Sequence, residues 1–168
     1  MPDKRILILN HKQIAQKIDR MAFQILEDSL EEREIVIAGI ADRGYTLAQR
    51  IKAKLGEISG FKITLMKIEL DKDSTHLQAA TDISLEAAAN KTVILVDDVL
   101  NSGRTLVYGL GVFLNIPLKK LRTLVLVDRS HHSFPISTDF TGFQLATVLK
   151  EHVDVILSPD GEDAVYLS

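Results

Sequence analysis

Short apolar runs rich in β-branched residues alternate along this chain with segments whose apolar residues recur every three or four positions. The runs cover residues 6–9, 35–40, 63–68, 93–99, 124–127 and 153–157. Several are apolar at consecutive positions, as in strands that are covered on both faces. Helical periodicity between them predicts helices over 11–29 and 46–55, and a third that begins near Thr105. The alternation predicts an α/β fold with a mostly parallel sheet and helices on both faces.

Length and composition limit the class of protein further. The chain has 168 residues, of which 46% are hydrophobic and 26% charged, as in soluble globular proteins. No linker or repeat divides it, so we expect one domain over 1–168. No apolar run approaches the roughly 18 residues of a membrane span, and no interaction with a membrane is expected. The chain has no cysteine, which excludes disulfides, thiolate metal sites and cysteine nucleophiles.

Charge and the N-terminal sequence give two weaker expectations. The formal net charge is −3, so the overall basic character that is usual for nucleic-acid binding is absent, although a local basic face would still suffice. The apolar stretch in MPDKRILILNHK is too short for a secretion signal. A cytoplasmic location is therefore expected.

The most informative polar residues follow Val96. Ligands of parallel sheets bind beyond the carboxyl ends of strands, and here an apolar strand runs directly into Asp97 and Asp98. Adjacent strand residues point to opposite faces, and a carboxylate at the end of a buried strand is costly unless something pairs with it. A sugar diol or a hydrated divalent cation would pair with these acids.

The turn that follows is rich in hydrogen-bond donors. Asn101, Ser102, Gly103, Arg104 and Thr105 stand immediately before a predicted helix, whose N-terminus would offer free N–H groups to an anion. Together with the acids, this turn predicts a sugar-phosphate site. The simpler alternative is a capped helix after a strand, with Ser102 as the cap. That alternative does not explain two acids at the end of an apolar strand.

These residues carry a resemblance to a known family. Residues 93–105 resemble the phosphoribosyl pyrophosphate (PRPP) motif of the type I phosphoribosyltransferases. Residues 37–48 resemble the pyrophosphate loop of that family, and 124–131 and 135–142 resemble its later strand and base-binding region. The resemblance covers nearly the whole chain. It is greatest to the pyrimidine branch, in which uracil phosphoribosyltransferase activity is combined with regulation of pyrimidine operons. It implies the type I fold, with a mostly parallel sheet and a small hood.

The resemblance implies roles for the residues of the PRPP motif. Asp97 and Asp98 would be catalytic and would hold the ribose hydroxyls of PRPP, directly or through water bound to Mg²⁺. They are therefore the implied metal residues, and Mg²⁺ is the implied cofactor. The turn from Asn101 to Thr105, with Ser102, Gly103 and Arg104 between, would hold the 5-phosphate.

The pyrophosphate loop receives its roles in the same way. Arg43, placed in a loop after the second strand, would be catalytic by contacting the pyrophosphate leaving group. The backbone around Asp42 and Gly44 would assist it. Taken alone, residues 41–44 are more simply interpreted as an ordinary strand-to-helix turn.

Two positions bear on the choice of base. Purine enzymes of the family carry a carboxylate at the position of Asn101, and an amide cannot replace it as a general base. They carry lysine where this chain has Asp128. Both differences favour a pyrimidine, uracil, over a purine base. Asp128, Arg129 and Phe140 are the implied base-binding residues, although core packing explains Phe140 almost equally well.

The chain also departs from the pyrimidine branch. That branch usually has tyrosine at the position of Asn101 and threonine at that of Ser102. Residues 69–85, which correspond to the mobile loop over the site, lack the usual basic, threonine-containing pattern. Their polar composition still suits a flexible lid, but activity and base preference could both differ.

Two classes of function follow. One is an enzyme that makes uridine monophosphate (UMP) from uracil and PRPP. The other is a regulator that binds messenger RNA and senses nucleotides in the same pocket with little catalysis. The first predicted helix mixes the two signs of charge, in Lys12, Lys17, Arg20, Asp19, Glu27 and Asp28. That mixture weakens the RNA hypothesis. A homodimer or larger homo-oligomer is implied by the resemblance, and a purine-base enzyme is the less favoured third alternative.

Overall fold

The computed structural model describes residues 4–71, 78–148 and 151–168. The main elements of these residues are nine strands and three α-helices. The strands are β1 (Ile6–Leu9), β2 (Glu34–Ile40), β3 (Lys62–Leu70), β4 (Ala79–Thr81), β5 (Thr92–Leu100), β6 (Lys120–Asp128), β7 (Phe140–Gln144), β8 (Val153–Ile156) and β9 (Ala164–Leu167). The helices are α1 (His11–Asp28), α2 (Arg43–Ile58) and α3 (Arg104–Gly111). Within the described ranges, no helix has the length and apolar character needed to cross a membrane.

The central sheet has six strands in the order β4-β3-β2-β5-β6-β7. All neighbours are parallel except β3 and β4, which are antiparallel. Gly39 of β2 lies opposite Val96 of β5, and Leu100 of β5 lies opposite Asp128 of β6. The polar ends of these three strands therefore meet at one edge of the sheet. The prediction of a mostly parallel α/β sheet is confirmed.

Helices cover both faces of this sheet, as predicted. α1 and α2 pack on one face, while α3 and a 3-10 helix over Leu85–Ala88 lie on the other. α1 begins with a capping box in which the side chains of Asn10 and Gln13 each accept from the other residue's backbone N–H. The starts of the other two helices differ from the predictions. α3 begins one residue before Thr105, and α2 begins at Arg43, three residues before the predicted start at 46.

The first and last strands form a separate sheet, the hood sheet, in the order β1-β9-β8. Its strands are antiparallel, so the apolar runs at 6–9 and 153–157 are strands but do not extend the parallel sheet. The remaining partner, β9, did not stand out as a strand in the sequence. In part because β1 is at the edge of this small sheet, Ile6 and Leu7 remain more than half exposed.

Residues 69–85, predicted to form a lid, are described only in part. Residues 72–77 lie outside the described residues. On either side of them, Leu70 of β3 pairs with Ala79 of β4. The strand residues described in this segment therefore form a short antiparallel extension of the central sheet.

Asp163 attaches the hood sheet to the helices beneath it. Its side chain is 1% exposed and accepts hydrogen bonds from the Arg50 guanidinium at 2.5 and 3.0 Å and from Ser158 N at 2.8 Å. His11 Nδ1 lies 3.2 Å away. Burial raises the pKa of Asp163, but the hydrogen bonds from Arg50 and Ser158 outweigh burial and hold that pKa below its ordinary value. The ionised carboxylate thus stabilises the folded state.

Asp163→Asn is expected to lower the free energy of unfolding by about 2 kcal/mol at pH 7, because it leaves the part-buried guanidinium of Arg50 without its ion pair. A carboxyl whose pKa is depressed in the folded state stabilises it above the pKa of the unfolded chain. That contribution is lost as the pH falls through the folded pKa. The difference in the free energy of unfolding between wild type and variant should therefore shrink below about pH 4. Urea unfolding at pH 7 and pH 3 measures it, with the exposed Asp160→Asn as control; a gap that widens on acidification would contradict this account.

Candidate active site

A cleft of about 310 Å³ opens at the carboxyl ends of β2 and β5. It is lined by residues 40–43, 97–103 and 105–106. The sequence singled out two chain segments, one after Ile40 and one after Val96, and the fold brings them together in this one cleft. The reason is the parallel pairing of β2 with β5, which places their carboxyl ends side by side.

Asp97 and Asp98 lie in β5, which continues past them to Leu100. Asp97 is only 8% exposed and Asp98 is half-buried. The Asp98 backbone N–H donates to Asp97 Oδ1 at 2.8 Å. Gly44 of α2 packs directly on this backbone, since a Cβ there would lie 2.7 Å from Val96 O and 2.9 Å from Asp97 Cα. Both acids therefore line the cleft at positions set by the sheet and the first turn of α2.

The turn that leads into α3 is built around Gly103. Its φ is +90°, a left-handed conformation that favours glycine, and a Cβ would lie 2.6 Å from Ile136 Cγ2. The preceding carbonyl, Ser102 O, accepts from Ser133 N at 2.8 Å and from Phe134 N at 3.0 Å. These hydrogen bonds hold the side of the turn that faces away from the cleft, and the other side of the turn lines the cleft.

The side chains of the turn have different positions. Asn101, Ser102 and Thr105 line the cleft together with Gly103, but Arg104 is exposed and is not among the lining residues. The guanidinium carbon of Arg104 lies 5.5 Å from the ring centroid of Tyr108. Ser102 Oγ accepts from Arg104 N at 3.2 Å, although the cap position itself is Gly103. The turn for which a phosphate-binding role was predicted lines the cleft, while its charged side chain, Arg104, lies beside Tyr108 of α3.

Asp42 and Arg43 line the cleft at the end of β2. The prediction that Arg43 lies in a loop is wrong, because Arg43 is the first residue of α2 and Asp42 is its cap residue. The Ala41–Asp42 peptide bond is cis. Arg43 Nη1 lies 3.1 Å from Asp154 Oδ1 of β8, which joins this end of the cleft to the hood sheet.

Lys67, near the end of β3, was missed by the sequence reasoning. Its Nζ lies 3.9 Å from Asp42 Oδ1, beside the cleft lining. The one available signal was a basic residue between apolar neighbours in the run at 63–68.

Asp128 lies at the end of β6, opposite Leu100. It is buried, its Oδ1 accepts from Ser130 N at 2.9 Å, and the same oxygen lies 2.8 Å from His132 Nε2. Asp128 is therefore beside the cleft without being part of its lining. Its carboxylate shapes the turn after β6.

Arg129 connects the end of β6 to the turn before α3. Its Nη1 donates to Asn101 Oδ1 at 3.0 Å and its Nε donates to Thr147 Oγ1 at 3.0 Å. The guanidinium also donates to the carbonyl oxygens of Val148 and Glu151. Arg129 therefore fixes the orientation of Asn101 in the cleft.

Phe140 is not brought to the cleft. It is 6% exposed, belongs to the core cluster beneath α1 and α2, and lies opposite Leu124 in β6. Leu124 precedes Asp128 by four residues, or about 13 Å of extended strand. The structure thus corrects the expected base contact of Phe140 to core packing. Phe134 is an aromatic residue beside the turn before α3, and its Cβ would lie 3.4 Å from a Cβ at Gly103.

The donor set of the cleft fits a magnesium ion held chiefly by other ligands. No cluster of three or more histidine or acidic side chains that could hold a metal occurs among residues 4–71, 78–148 and 151–168. Mg²⁺ needs only one or two carboxylates when water and substrate phosphates complete its coordination. Asp97 and Asp98 are the carboxylates that would bind the ion here.

The sheet order, the paired acids and the donor-lined turn suit a sugar-phosphate ligand, and the chain belongs to the phosphoribosyltransferase family. Residues 7–159 match the family model described as phosphoribosyl transferase domain. The type I resemblance is thereby confirmed. The chain is 37% identical to the bifunctional protein PyrR of Microcystis aeruginosa, over 99% of both chains. It is 36% identical to the PyrR of Corynebacterium glutamicum, over 96% of this chain and 91% of that one.

Solved structures agree on the fold. The crystal structure of the hypoxanthine phosphoribosyltransferase of Trypanosoma cruzi matches with a TM-score of 0.76 at 16% identity, over 95% of this chain and 94% of that one. A hypoxanthine-guanine phosphoribosyltransferase of Bacillus anthracis matches with a TM-score of 0.73 at 22% identity, over 88% and 86%. At these identities the likeness concerns the fold alone.

Proposed function

We propose that this protein transfers the phosphoribosyl group of PRPP to uracil, which yields UMP and pyrophosphate. The observation that carries the proposal is the cleft itself, which is lined by the strand acids Asp97 and Asp98, by a donor-rich turn and by Arg43. In the reaction, the bond from C1 of the ribose to the diphosphate breaks and a bond to N1 of uracil forms. The N1 proton of uracil is released.

The charges in the cleft suit this displacement. As the diphosphate leaves, the ribose ring becomes cationic while the leaving group gains negative charge. Asp97 and Asp98 would hold the ribose hydroxyls and stabilise the cationic ring, and Arg43 would stabilise the diphosphate. Magnesium bound beside the acids would supply further positive charge to the leaving group. No covalent intermediate with the protein is needed.

Asn101 supports a pyrimidine base. It lines the cleft where a purine-specific general base would be required, and its amide cannot accept a proton. Its Oδ1 already accepts from Arg129, so its N–H groups are the donors it can offer, and uracil presents two carbonyl acceptors. The resemblance of the sequence to the pyrimidine branch of the family supports the same choice of base.

Two further expectations accompany the proposal and rest on the family resemblance. The first is a homodimer or larger homo-oligomer in the cytoplasm. The second is that residues 1–168 act as one domain.

RNA binding has less support, because two of the three basic side chains of α1 lie against β7. Arg20 donates to the carbonyl oxygen of Gly142 at 2.6 Å, and Lys17 Nζ lies 5.8 Å from the centroid of the Phe143 ring.

An assay of several bases tests the proposed activity. Uracil, hypoxanthine, guanine and orotate are each incubated with the protein, PRPP and Mg²⁺, and the nucleotide formed is separated by chromatography. We expect UMP formation from uracil to exceed nucleotide formation from any other base by at least about 100-fold in kcat/KM, since a site built for one pattern of donors leaves buried groups unpaired with another. Turnover of hypoxanthine without turnover of uracil would show the interpretation of Asn101 and Asp128 to be wrong.

A further inference from the structure

Lys67 is held in a defined position beside the cleft. It lies opposite Gly39 in the parallel pairing of β3 with β2. Its backbone N–H donates to Asp82 Oδ1 at 2.7 Å and its carbonyl accepts from Asp82 N at 3.1 Å. The Nζ lies 5.4 Å from the ring centroid of Tyr45, in the first turn of α2. The strand and the ring thus direct the ammonium group toward the N-terminus of α2.

The ion pairs of Lys67 are with exposed acids. Its Nζ lies 3.9 Å from Asp42 Oδ1 and 3.6 Å from Glu69 Oε1, and these two side chains are 92% and 67% exposed. Exposed pairs of this kind contribute little to stability. An anion of higher charge could therefore replace either carboxylate at small cost.

Arg43, at the same end of the cleft, has a similar arrangement. Its side chain is 55% exposed and pairs with Asp154 at 3.1 Å. Lys67 and Arg43 are therefore both paired with carboxylates that are accessible to solvent. A diphosphate between them would exchange a single-charge partner for a multiply charged one, which gives the stronger charge-assisted hydrogen bonds.

Asp42 makes a cation necessary at this place. It lines the cleft and caps α2, so its carboxylate would repel a diphosphate bound at the start of that helix. The ammonium of Lys67 offsets this charge at 3.9 Å. Without Lys67, the end of the cleft would keep Arg43 as its cation and Asp42 as an opposing anion.

We propose that Lys67 is a second cationic ligand of the diphosphate group of PRPP, in addition to Arg43. The inference rests on the proposed function and names a residue that the PRPP motif and the pyrophosphate loop do not contain. Lys67 is expected to leave its contacts with Asp42 and Glu69 when the diphosphate binds. It is not expected to hold the 5-phosphate, whose proposed ligand is the turn before α3.

Calorimetric titration with three ligands tests this assignment. PRPP, inorganic pyrophosphate and ribose 5-phosphate are each titrated, in the presence of Mg²⁺, into wild type, Lys67→Met and Lys67→Arg. We expect Lys67→Met to raise the Kd of PRPP and pyrophosphate about tenfold and to change that of ribose 5-phosphate less than twofold. Lys67→Arg should restore most of the affinity. The matched control is Lys62→Met, at the other end of β3, where the side chain is 79% exposed.

The outcomes separate this inference from the proposed function. If wild type binds PRPP and Lys67→Met binds it equally well, the role of Lys67 is refuted and the proposed function stands. An equal loss for ribose 5-phosphate would also refute it, since the effect would then not be specific to the diphosphate. If wild type binds no PRPP, both proposals fail. Thermal unfolding verifies that each variant is folded, and Lys67→Gln replaces Lys67→Met should the latter not fold.

Discussion

The double replacement Asp97→Asn with Asp98→Asn is expected to reduce kcat/KM with PRPP at least about 100-fold, or about 2.7 kcal/mol of transition-state stabilisation. Asparagine keeps the size of each side chain and an acceptor for the Asp98 N–H bond to residue 97. It removes both negative charges that would stabilise the cationic ribose ring and hold Mg²⁺. Steady-state kinetics over a range of PRPP and Mg²⁺ concentrations measures the loss.

The loss should come from chemistry and not from unfolding. Asparagine is isosteric with aspartate and keeps a side-chain oxygen acceptor, so the double variant should remain folded, with a melting temperature close to that of wild type. The matched control is Asp19→Asn with Glu27→Gln, which removes two exposed acids from α1 and should leave both rate and stability unchanged. Wild-type kcat/KM in the Asp97 and Asp98 double variant would refute the assignment of the active site.

The sequence was most informative where one local pattern determines the outcome. Apolar runs identified four of the six strands of the central sheet, β2, β3, β5 and β6, and the polar residues after Val96 identified the cleft. The parallel order of β2 and β5 then follows from general rules for α/β sheets. That is why Asp97, Asp98 and the turn around Gly103 could be assigned to one site before the fold was known.

Local patterns did not determine the placement of residues whose position depends on distant parts of the chain. Phe140 suits either a base or a core, and its pairing with Leu124 decides for the core. The early start of α2 at Arg43 was missed, although its cap residue, Asp42, is of a type that is common at helix N-caps. The ion pair of Asp163 had no signal in the sequence, because its partner Arg50 is 113 residues away. Such contacts arise from the packing of the hood sheet on the helices and have no local periodicity.

Gly44→Ala is expected to lower the free energy of unfolding by about 2 kcal/mol and to weaken PRPP binding at least about tenfold. The added Cβ would lie 2.7 Å from Val96 O and 2.9 Å from Asp97 Cα. Both are backbone atoms of a central strand, so they cannot move aside as a flexible side chain would, and overpacking of this kind costs about 1–3 kcal/mol. The first turn of α2 must therefore shift away from β5, which separates Arg43 from the acids. Urea unfolding and calorimetric titration with PRPP measure the two effects.

Gly56→Ala is the matched control because it lies in the same helix, and a Cβ there would meet nothing within 4 Å. Alanine has the higher helix propensity, so this variant should be more stable than wild type by about 0.5 kcal/mol, with unchanged PRPP affinity. The two substitutions are chemically identical and differ only in what the new methyl group meets. If both variants behaved alike, the close packing of α2 on β5 would not be what positions the acids and Arg43 around the cleft.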